Sequence, residues 1–501
     1  MDDMTFPGLA RNGPFIKKFE TPRHHYIYDV NTNEFVRVDR IVYDVIEDCG
    51  LLSDAEILDK YKSSHHLDSI KLAIQEICQA KHEDGLFSNH RPHEMALGYS
   101  DMELRSAINN DLKQVILNVT EACNLRCHYC VYGDKYYAER NHSSKKMTIE
   151  TATKAINYLM AHSRAEEDVF LSFYGGEPLL NMEIIRFAVR YALDTRGSRK
   201  VRFNLSTNGT LLTEDNIRFL IDYDISLAVS LDGPQVIHDR FRVDSNGSGT
   251  WETVIRNLRR IRSLDQDYYR RAVLFNVVLT PPYDIVKVNE FFGEHAELFG
   301  NANPKITSVD GTETIFLQDF GVTKNYFPGG NQRLMNTYLG IKSASIASPT
   351  FLRGYFEDDL LTVHKRPLFN SKTETIFLNG CCTPGQRKIF VSSEGKLHIC
   401  ERISSYMDIG DLENGVDYRR IDNIIEQYIT AFKGECCNCW AHRFCKTCFA
   451  TAKSAGEACV KLKTDECASV RQRTLEIFYL YNAILEECPS AFDGFKQIVA
   501  H

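Results

Sequence analysis

The sequence predicts an α/β protein built around a partial (β/α)6 barrel. Between residues 113 and 310, short β-branched and aromatic runs such as VILNVT and ISLAVS alternate with longer segments whose apolar residues recur at helical spacing. This alternation implies a parallel sheet covered by helices. Glycine and polar residues follow several of the predicted strands, and the active sites of βα barrels collect at those carboxyl ends.

The predicted barrel elements follow one another in a regular order. Each strand is a run rich in Val, Ile, Phe and Leu, and each helix repeats apolar residues at three- and four-residue steps. Thr213 is the predicted N-cap of one helix. Strands are predicted at 115–120, 168–176, 201–209, 225–233, 272–282 and 305–310, and helices at 148–163, 181–193, 213–223, 251–264 and 285–299.

The composition is that of an ordinary globular protein. Of the 501 residues, 43% are hydrophobic and 25% are charged, and the net charge is −8. No basic field therefore attracts the chain to nucleic acid or to an anionic membrane. The N-terminus lacks a secretory signal pattern, and no apolar run approaches the ~20 residues that span a bilayer. We expect a cytoplasmic protein, in which disulfides are rare.

The 16 cysteines are unevenly distributed, and in a cytoplasmic chain they indicate metal or redox chemistry. Cys123, Cys127 and Cys130, which we call the barrel thiol group, lie together on the loop after the first strand, and the next cysteine is Cys381. Three thiolates leave one iron of a [4Fe–4S] cluster open for a cofactor or substrate. A zinc site completed by His128 is the alternative, because structural zinc takes four ligands.

Glycine-containing polar motifs end the next three predicted strands. GGEP (175–178) ends the second strand, STNG (206–209) ends the third, and SLDGP (230–234) ends the fourth with HDRFR just beyond it. The carboxyl ends of parallel barrel strands share one face, so these motifs and the barrel thiol group are predicted to lie together. Each motif alone also fits an ordinary turn, whereas their order on successive strands indicates a common site.

This constellation resembles the radical S-adenosylmethionine (SAM) superfamily over about residues 110–310, on the motifs CNLRCHYC, GGEP, STNG and SLDGPQVIHDRFR. The resemblance implies a [4Fe–4S] cluster on the barrel thiol group. It also implies reductive cleavage of SAM to a 5′-deoxyadenosyl radical that takes a hydrogen atom from the substrate. Glu177 would contact the SAM amine, and Arg242 is preferred over Arg240 for a polar contact. The SAM-binding residues implied are Tyr129, Gly175, Gly176, Glu177, Ser206, Asn208, Ser230 and Arg242.

The C-terminal cysteines resemble the SPASM domain of peptide-modifying radical SAM enzymes. Four of them are spaced x2, x5 and x2, where the family pattern ends in x3. The resemblance implies two auxiliary [4Fe–4S] clusters, the first on Cys382, Cys400 and Cys448 and the second on Cys436, Cys439, Cys445 and Cys467. The first set lacks one ligand, which is either Cys381 or a substrate thiolate. A pair of zinc-ribbon sites is the alternative that the spacing permits.

The N-terminal region predicts a small domain of its own. HHYIYDVNTNEFVRVD alternates apolar and polar residues around NTN, which indicates a β-hairpin, and three helical segments follow. Ser53 and Glu56 have capping-box spacing at the second helix. The pattern resembles the winged-helix peptide recognition domain of enzymes that modify ribosomal peptides. It implies a leader peptide that adds a strand to the hairpin edge. DNA binding is the alternative, but the segment has no basic stripe.

Five segments follow from these patterns. They are a leader-recognition domain (1–90), a polar linker (91–112), the barrel (113–310), a bridging insertion without a motif (311–380) and the SPASM domain (381–490). Cys437 and Cys488 are expected to be buried and inert. Cys459 is the second choice for the place of Cys467.

The chain resembles the maturases that install thioether crosslinks in ribosomally made, cysteine-rich peptides (sactipeptide and ranthipeptide maturases). That resemblance implies SAM and three [4Fe–4S] clusters as cofactors, a precursor peptide as substrate, and flavodoxin or ferredoxin as electron donor. Another SPASM enzyme, either a carbon–carbon crosslinking peptide maturase or an anaerobic sulfatase maturase, is the first alternative. A zinc-stabilised peptide- or DNA-binding protein without catalysis is the second.

Overall fold

The computed structural model describes most of the chain. The described residues are 13–136, 141–164, 167–300, 303–309, 315–316, 330–344, 346–369, 372–403, 405–452 and 464–494. Part of the predicted bridging insertion, FGVTKNYFPG at 320–329, lies outside these ranges. Cys459, the second choice for a cluster ligand, also lies outside them.

Three strands and three helices form an N-terminal module. They are β1 (Ile16–Glu20), β2 (His25–Asp29), β3 (Glu34–Val38), α1 (Arg40–Val45), α2 (Asp54–Tyr61) and α3 (Leu67–Glu83). The predicted hairpin is β2–β3, and β1 completes an antiparallel sheet of order β1-β2-β3. The sequence did not predict β1, because IKKFE is short and contains two lysines. Ser53 and Glu56 form the predicted capping box of α2.

The two faces of this small sheet pack against different parts of the chain. Ile27 packs with the helices α1–α3 on one face. The next residue, Tyr28, points the other way, and its ring lies 4.9 Å from that of Phe478 in the C-terminal helix Thr464–Glu487. The N-terminal module is therefore part of one packed unit with the C-terminal region.

The segment predicted as a polar linker is ordered structure. It contains β4 (Glu94–Ala96) and α4 (Asp101–Asn110), and α4 begins with a second capping box made by Ser100 and Glu103. The helix buries Leu104 and Ile108, so this prediction was wrong. The Ser-x-x-Glu pair before apolar residues at helical spacing was the signal that could have corrected it.

Six parallel strands form the wall of the barrel, as predicted. They are β5 (Gln114–Thr120), β6 (Asp168–Gly175), β7 (Lys200–Thr207), β8 (Ser226–Ser230), β9 (Val273–Leu279) and β10 (Lys305–Ser308). Neighbours in sequence are neighbours in space, in the order β10-β9-β8-β7-β6-β5. Consecutive right-handed βα units give this arrangement.

Helices cover the outer face of the wall. They are α5 (Ile149–His162), α6 (Met182–Thr195), α7 (Glu214–Asp222), α8 (Gln235–Phe241), α9 (Trp251–Leu264), α10 (Gln266–Ala272), α11 (Ile285–Glu294) and α12 (Ala296–Phe299). All five predicted helices are present, and α8 and α10 were not predicted. Thr213 caps α7 by accepting a hydrogen bond from the Asn216 N–H, which confirms the predicted N-cap. Among the described residues, no helix is both long and apolar enough to cross a bilayer.

The C-terminal region extends the barrel sheet. Its strands are β11 (Thr375–Phe377), β12 (Lys388–Val391), β13 (Lys396–His398), β14 (Asp408–Asp411) and β15 (Gly415–Val416). β12 pairs in parallel with β5, and β13, β14 and β15 continue the sheet as antiparallel strands. The other helices here and in the preceding segment are Gly330–Ser343, Thr350–Leu352, the π-turn Arg353–Glu357, Asp358–His364, Tyr418–Cys436, Phe449–Ala452 and Thr464–Glu487. The sequence did not predict this continuation.

Candidate active site

The loop that carries the barrel thiol group follows β5 directly and is fixed by backbone contacts. Arg126 donates its N–H to the Val243 carbonyl at 2.7 Å, and His128 donates to the Phe241 carbonyl at 2.9 Å. Both acceptors lie at or just beyond the end of α8, in the region of the SLDGP–HDRFR motif. Two of the motifs predicted to share a site therefore hold each other in place.

The three thiols lie close to one another in a buried setting. Burial raises the pKa of Cys123 to about 11, and burial together with the neighbouring Cys127 raises that of Cys130 to about 12. The Cys123 sulfur accepts hydrogen bonds from the Leu125 N–H at 3.4 Å and from the Asn208 amide at 3.9 Å. Buried thiols of this kind ionise only when a cation compensates their charge, as a metal centre does.

The glycines of GGEP let this loop approach the end of β6. A Cβ on Gly175, whose φ is +150°, would lie 2.2 Å from the Thr120 carbonyl oxygen. A Cβ on Gly176 would lie 2.3 Å from the Ala122 carbonyl oxygen, one residue before Cys123. Both clashes are with backbone atoms, which cannot rotate away as a side chain does. The two glycines thus set the distance between β6 and the thiol-bearing loop.

Replacing Gly176 with alanine is expected to displace the loop and to reduce iron loading at the barrel thiol group. We expect the reconstituted variant to lose most of the iron of one cluster, about four atoms per chain, as measured by iron analysis. Gly293→Ala is the matched control, because a Cβ there meets nothing within 4 Å and the residue lies in α11. Full loading of Gly176→Ala would contradict this role.

Glu177 links the ends of two strands, β6 and β7, from a fully buried position. Its carboxylate accepts hydrogen bonds from the Thr207 hydroxyl at 2.8 Å, the Asn208 N–H at 2.7 Å and the Leu179 N–H at 3.1 Å. Both oxygens are therefore engaged within the chain. A contact between this carboxylate and the SAM amine stays a prediction. The same hydrogen bonds fix the relative positions of GGEP and STNG.

Burial raises the pKa of Glu177 from its ordinary value of 4.5 to about 7. Between these values the folded protein holds a proton that the unfolded chain has released, so the free energy of unfolding falls as pH rises. The total effect is about 3 kcal/mol. The unfolding temperature of the wild type should therefore fall relative to that of Glu177→Gln as pH rises from 4.5 to about 7. Glu394→Gln, at an exposed ion pair, should run parallel to wild type.

Asp232 organises the buried polar side chains beside Cys127. Its carboxylate accepts a short hydrogen bond from the Tyr129 hydroxyl and one of 3.0 Å from Arg242 Nε. Its other oxygen accepts from the Val278 N–H at 3.0 Å. The Arg242 guanidinium also lies 5.4 Å from the centre of the Tyr129 ring. Tyr129, Asp232 and Arg242 thus form one buried unit, which we call the Asp232 network.

A second layer supports the Asp232 network. Fully buried His238 accepts from the Asp232 N–H at 3.4 Å and contacts the Thr250 hydroxyl at 3.1 Å through its other nitrogen. Burial lowers the pKa of His238 to about 4, so the ring is neutral. Thr250 in turn donates to the Arg242 carbonyl at 3.2 Å. Asp232, His238 and Thr250 were not predicted as site residues from the sequence, although the first two lie within the quoted motif.

The remaining predicted residues lie at the same barrel edge. Ser206 and Ser230 end β7 and β8 and are half-buried. Asn208 bridges to the thiol-bearing loop through the Asn124 side chain at 3.0 Å. Arg242 is 7% exposed, whereas Arg240 reaches an outer loop at the Pro282 carbonyl. The predicted preference for Arg242 over Arg240 therefore agrees with their placement.

One further polar residue inside the barrel was not singled out from sequence. Asn118 on β5 is fully buried, and its side-chain amide has no hydrogen-bond partner among the described residues. The Gly175 Cα faces this amide, since a Cβ there would lie 2.9 Å from Asn118 Oδ1. A buried amide without a partner costs about 1–3 kcal/mol. Its polarity in the middle of VILNVT was the available signal.

The predicted second auxiliary set comes together in the fold. Cys436, Cys439, Cys445 and Cys467 line one cavity with Tyr428 and Arg471. Burial, together with the charges of the three other thiols, raises the pKa of Cys436 to about 12. Arg471 supplies a cation at this site, and Cys439 interacts with it.

The predicted first auxiliary set also converges, with Cys381 among its members. The pKa of Cys381 is raised by burial first and then by the charge of Cys448. The pKa of Cys400 is raised to about 11 by burial, with a contribution from Cys448. Cys382 is exposed. Cys437 lies apart, with its sulfur 3.8 Å from the Glu94 carbonyl oxygen, which fits the expectation of an inert residue.

These groupings fit iron–sulfur clusters in number and chemistry. Each brings three or four thiols together, all of them half-buried except the exposed Cys382, and thiolates are the ligands of such clusters. Within the described ranges, no three His, Cys, Asp or Glu side chains have the mutual spacing to hold a single metal ion. The thiolates of a [4Fe–4S] cluster bind separate irons, so they do not meet at one point.

Comparisons with known proteins address the barrel. Residues 117–292 match the model of the Radical SAM superfamily. An uncharacterized protein of Methanocaldococcus jannaschii, MJ0907, is 31% identical over 194 residues, which cover 39% of this chain and 64% of that protein. A cysteine-type anaerobic sulfatase-maturating enzyme of Clostridium novyi is 24% identical over 295 residues, covering 58% of this chain and 73% of that enzyme.

A solved structure shares the fold. Native anSMEcpe with bound AdoMet has a TM-score of 0.53 and 21% identity, over 77% of this chain and all of that chain.

The similarity to MJ0907 spans just under two thirds of that protein's length. The family match begins within β5 and ends within α11, so it contains the barrel thiol group, GGEP, STNG and the Asp232 network. Residues 117–292 of this chain are a domain of the radical SAM superfamily.

Proposed function

We propose that this chain is a radical SAM–SPASM peptide maturase that installs thioether crosslinks in a ribosomally made, cysteine-rich precursor peptide. The observation that carries the proposal is the barrel thiol group on the loop after β5, at the edge where GGEP, STNG and the Asp232 network meet. Two further thiol groups in the C-terminal region support the choice of a SPASM enzyme. The superfamily to which the barrel belongs is one of enzymes.

The barrel edge has the donors and acceptors that SAM requires. Bound at a [4Fe–4S] cluster on the barrel thiol group, SAM supplies on reduction a 5′-deoxyadenosyl radical that takes a hydrogen atom from the peptide. Arg242, whose guanidinium is held by Asp232, is the residue that we assign to a carboxylate or ribose hydroxyl of SAM. Ser206 and Ser230 add hydroxyls at neighbouring strand ends. Glu177 with the backbone of GGEP is the acceptor that we assign to the SAM amine.

Thioether formation removes two hydrogen atoms from the peptide. One leaves a carbon as a hydrogen atom and ends on 5′-deoxyadenosine. The other would leave the cysteine thiol as a proton, and the C-terminal thiol groups would hold an auxiliary cluster able to accept the remaining electron. Flavodoxin or ferredoxin is the proposed donor for the barrel site. In this scheme Cys381 completes the ligand set of Cys382, Cys400 and Cys448.

The N-terminal module is the proposed leader-binding site. Within the described residues β3 is an edge strand, paired through β2 alone, so its outer backbone groups are available to another strand. Leu67 and Leu72 of α3 are 50% and 55% exposed. A peptide added to β3 would gain main-chain hydrogen bonds from the strand, and apolar side chains would contact α3.

A sulfatase maturase is the second candidate, favoured by the similarity to the Clostridium novyi enzyme. Deleting residues 1–90 would not separate the two candidates, because Tyr28 and Phe478 pack together and the deletion would expose the C-terminal core. Substrate choice separates them better. A sulfatase-derived peptide and a cysteine-rich precursor should each be offered to the full chain.

The test is co-expression of the full chain with short cysteine-rich reading frames that neighbour its gene, followed by mass spectrometry of the peptides. We expect a loss of two hydrogen atoms per crosslink, with fragmentation that locates a sulfur–carbon bond. Cys127→Ala is the control that should leave the peptide unmodified. Turnover of the sulfatase-derived peptide alone would overturn the thioether proposal in favour of the second candidate.

A further inference from the structure

A lysine lies beside Cys400 on the inner face of the barrel. β12 and β13 pair antiparallel with Phe390 opposite His398, and Cys400 follows two residues after the end of β13, within electrostatic reach of Lys388. Side chains two residues apart on a strand share a face, so Lys388 lies on the same face as Phe390. The Phe390 ring is 6.4 Å from Tyr174 of β6, which identifies this face as the barrel interior.

Lys388 forms an ion pair with the residue that follows Cys400. Its Nζ lies 2.9 Å from Glu401 Oε2, and the two side chains are only 23% and 18% exposed. At this distance and burial the ammonium and the carboxylate stabilise each other's charged forms, and Lys305 is a further cation near Glu401.

Charges in this position act on the electron affinity of a neighbouring cluster. Net charge and hydrogen bonding around the sulfurs set the reduction potential of an iron–sulfur cluster. A cation stabilises the reduced form, which carries one more negative charge, and an anion destabilises it. Water screens half-buried charges less than exposed ones.

We propose that the Lys388–Glu401 pair sets the reduction potential of the auxiliary cluster at Cys400, with Lys388 raising it and Glu401 lowering it. The inference rests on the proposed function, because it requires a cluster at this thiol group. Lys388 and Glu401 are positioning residues here and need not touch the substrate. A purely structural ion pair would change the unfolding temperature without changing the potential.

The experiment uses the full chain, reconstituted with iron and sulfide, in a Cys127→Ala background that leaves only the auxiliary clusters. Potentiometric titration followed by electron paramagnetic resonance compares this background with added Lys388→Gln, Glu401→Gln and the double change. Lys396→Gln is the matched control. It removes a lysine on the adjacent strand β13 that pairs with Asp411 at 3.3 Å but is 50% exposed.

We expect Lys388→Gln to shift one of the two cluster signals to lower potential and Glu401→Gln to shift the same signal to higher potential. At a fixed solution potential the ratio of reduced to oxidised cluster should change about tenfold. This change corresponds to a shift of about 59 mV in the reduction potential of a one-electron couple. Lys396→Gln should leave both signals unchanged. The double change keeps the site neutral and should fold even where a single change leaves a charge unpaired.

Two failures are distinguishable. If the background protein binds well under about eight irons, the auxiliary clusters themselves are absent and the proposed function fails. If it binds about eight irons and neither single change moves a potential, the inference about Lys388 and Glu401 is overturned while the proposed function stands. Shifts of the same sign in both variants would also overturn it.

Discussion

Replacing Cys127 with alanine is expected to abolish reductive cleavage of SAM. Cys127 is central to the barrel thiol group, with Cys130 and the Arg242 guanidinium close to its sulfur. Loss of one ligand leaves two thiolates, too few to retain the barrel cluster. The reconstituted variant should lose about four irons per chain and form no 5′-deoxyadenosine with SAM and dithionite.

The C-terminal thiol groups should be unaffected in that variant. About eight irons should remain, because the other ligands lie on separate strands and helices. Cys78→Ala is the matched control, since Cys78 is exposed on α3 and belongs to no thiol group. It should load and cleave SAM like wild type. Cleavage at the wild-type rate by Cys127→Ala would contradict the assignment of the barrel cluster.

Replacing Asp232 with alanine is expected to have the largest effect on stability. The change leaves the Arg242 guanidinium, which is 7% exposed, without its carboxylate partner. It also removes the acceptor of the Tyr129 hydroxyl. Removing one partner of a buried ion pair costs about 3–5 kcal/mol. The unfolding midpoint should fall markedly, and SAM affinity should fall with it because Arg242 and Tyr129 lose their orientation.

A second variant at this position separates the effect of charge from that of shape. Asp232→Asn keeps an acceptor for Tyr129 and should recover part of the stability but less of the SAM affinity. Asp168→Asn is the control, because its ion pair with Arg202 lies on exposed parts of β6 and β7 and such pairs contribute little. Calorimetry and equilibrium SAM binding measure the two effects. Equal stability of Asp232→Ala and wild type would show that the network is not a stabilising unit.

The barrel could be predicted from the sequence because the patterns that indicate its strands and helices are local. Period-two and helical apolar patterns mark β5–β10 and their helices, and the motif positions follow from the strand ends. Thr213 and the Ser53–Glu56 capping box were likewise predictable from residues that contact each other within one turn. The family match over 117–292 agrees with that prediction.

The structural features that were not predicted from the sequence depend on contacts between distant segments. Pairing of β12 with β5 joins residues 388–391 to 114–117, and nothing in either run alone indicates the partner. The role of Asp232 requires Tyr129 and Arg242 to converge from separate loops. The hydrogen bonds of Glu177 to Thr207 and Asn208, which join two strand ends, also depend on this packing, and its contact with SAM stays a prediction. Such partners are set by tertiary packing rather than by local pattern.

The most direct test of the account is SAM cleavage by the full-length, anaerobically reconstituted wild-type protein. With SAM and dithionite it should form 5′-deoxyadenosine and methionine in equal amounts, and Cys127→Ala should form neither. About twelve irons per chain should accompany this activity. Wild-type protein that carries its full iron complement and yields no 5′-deoxyadenosine above the Cys127→Ala background would contradict the assignment of the site at the barrel edge.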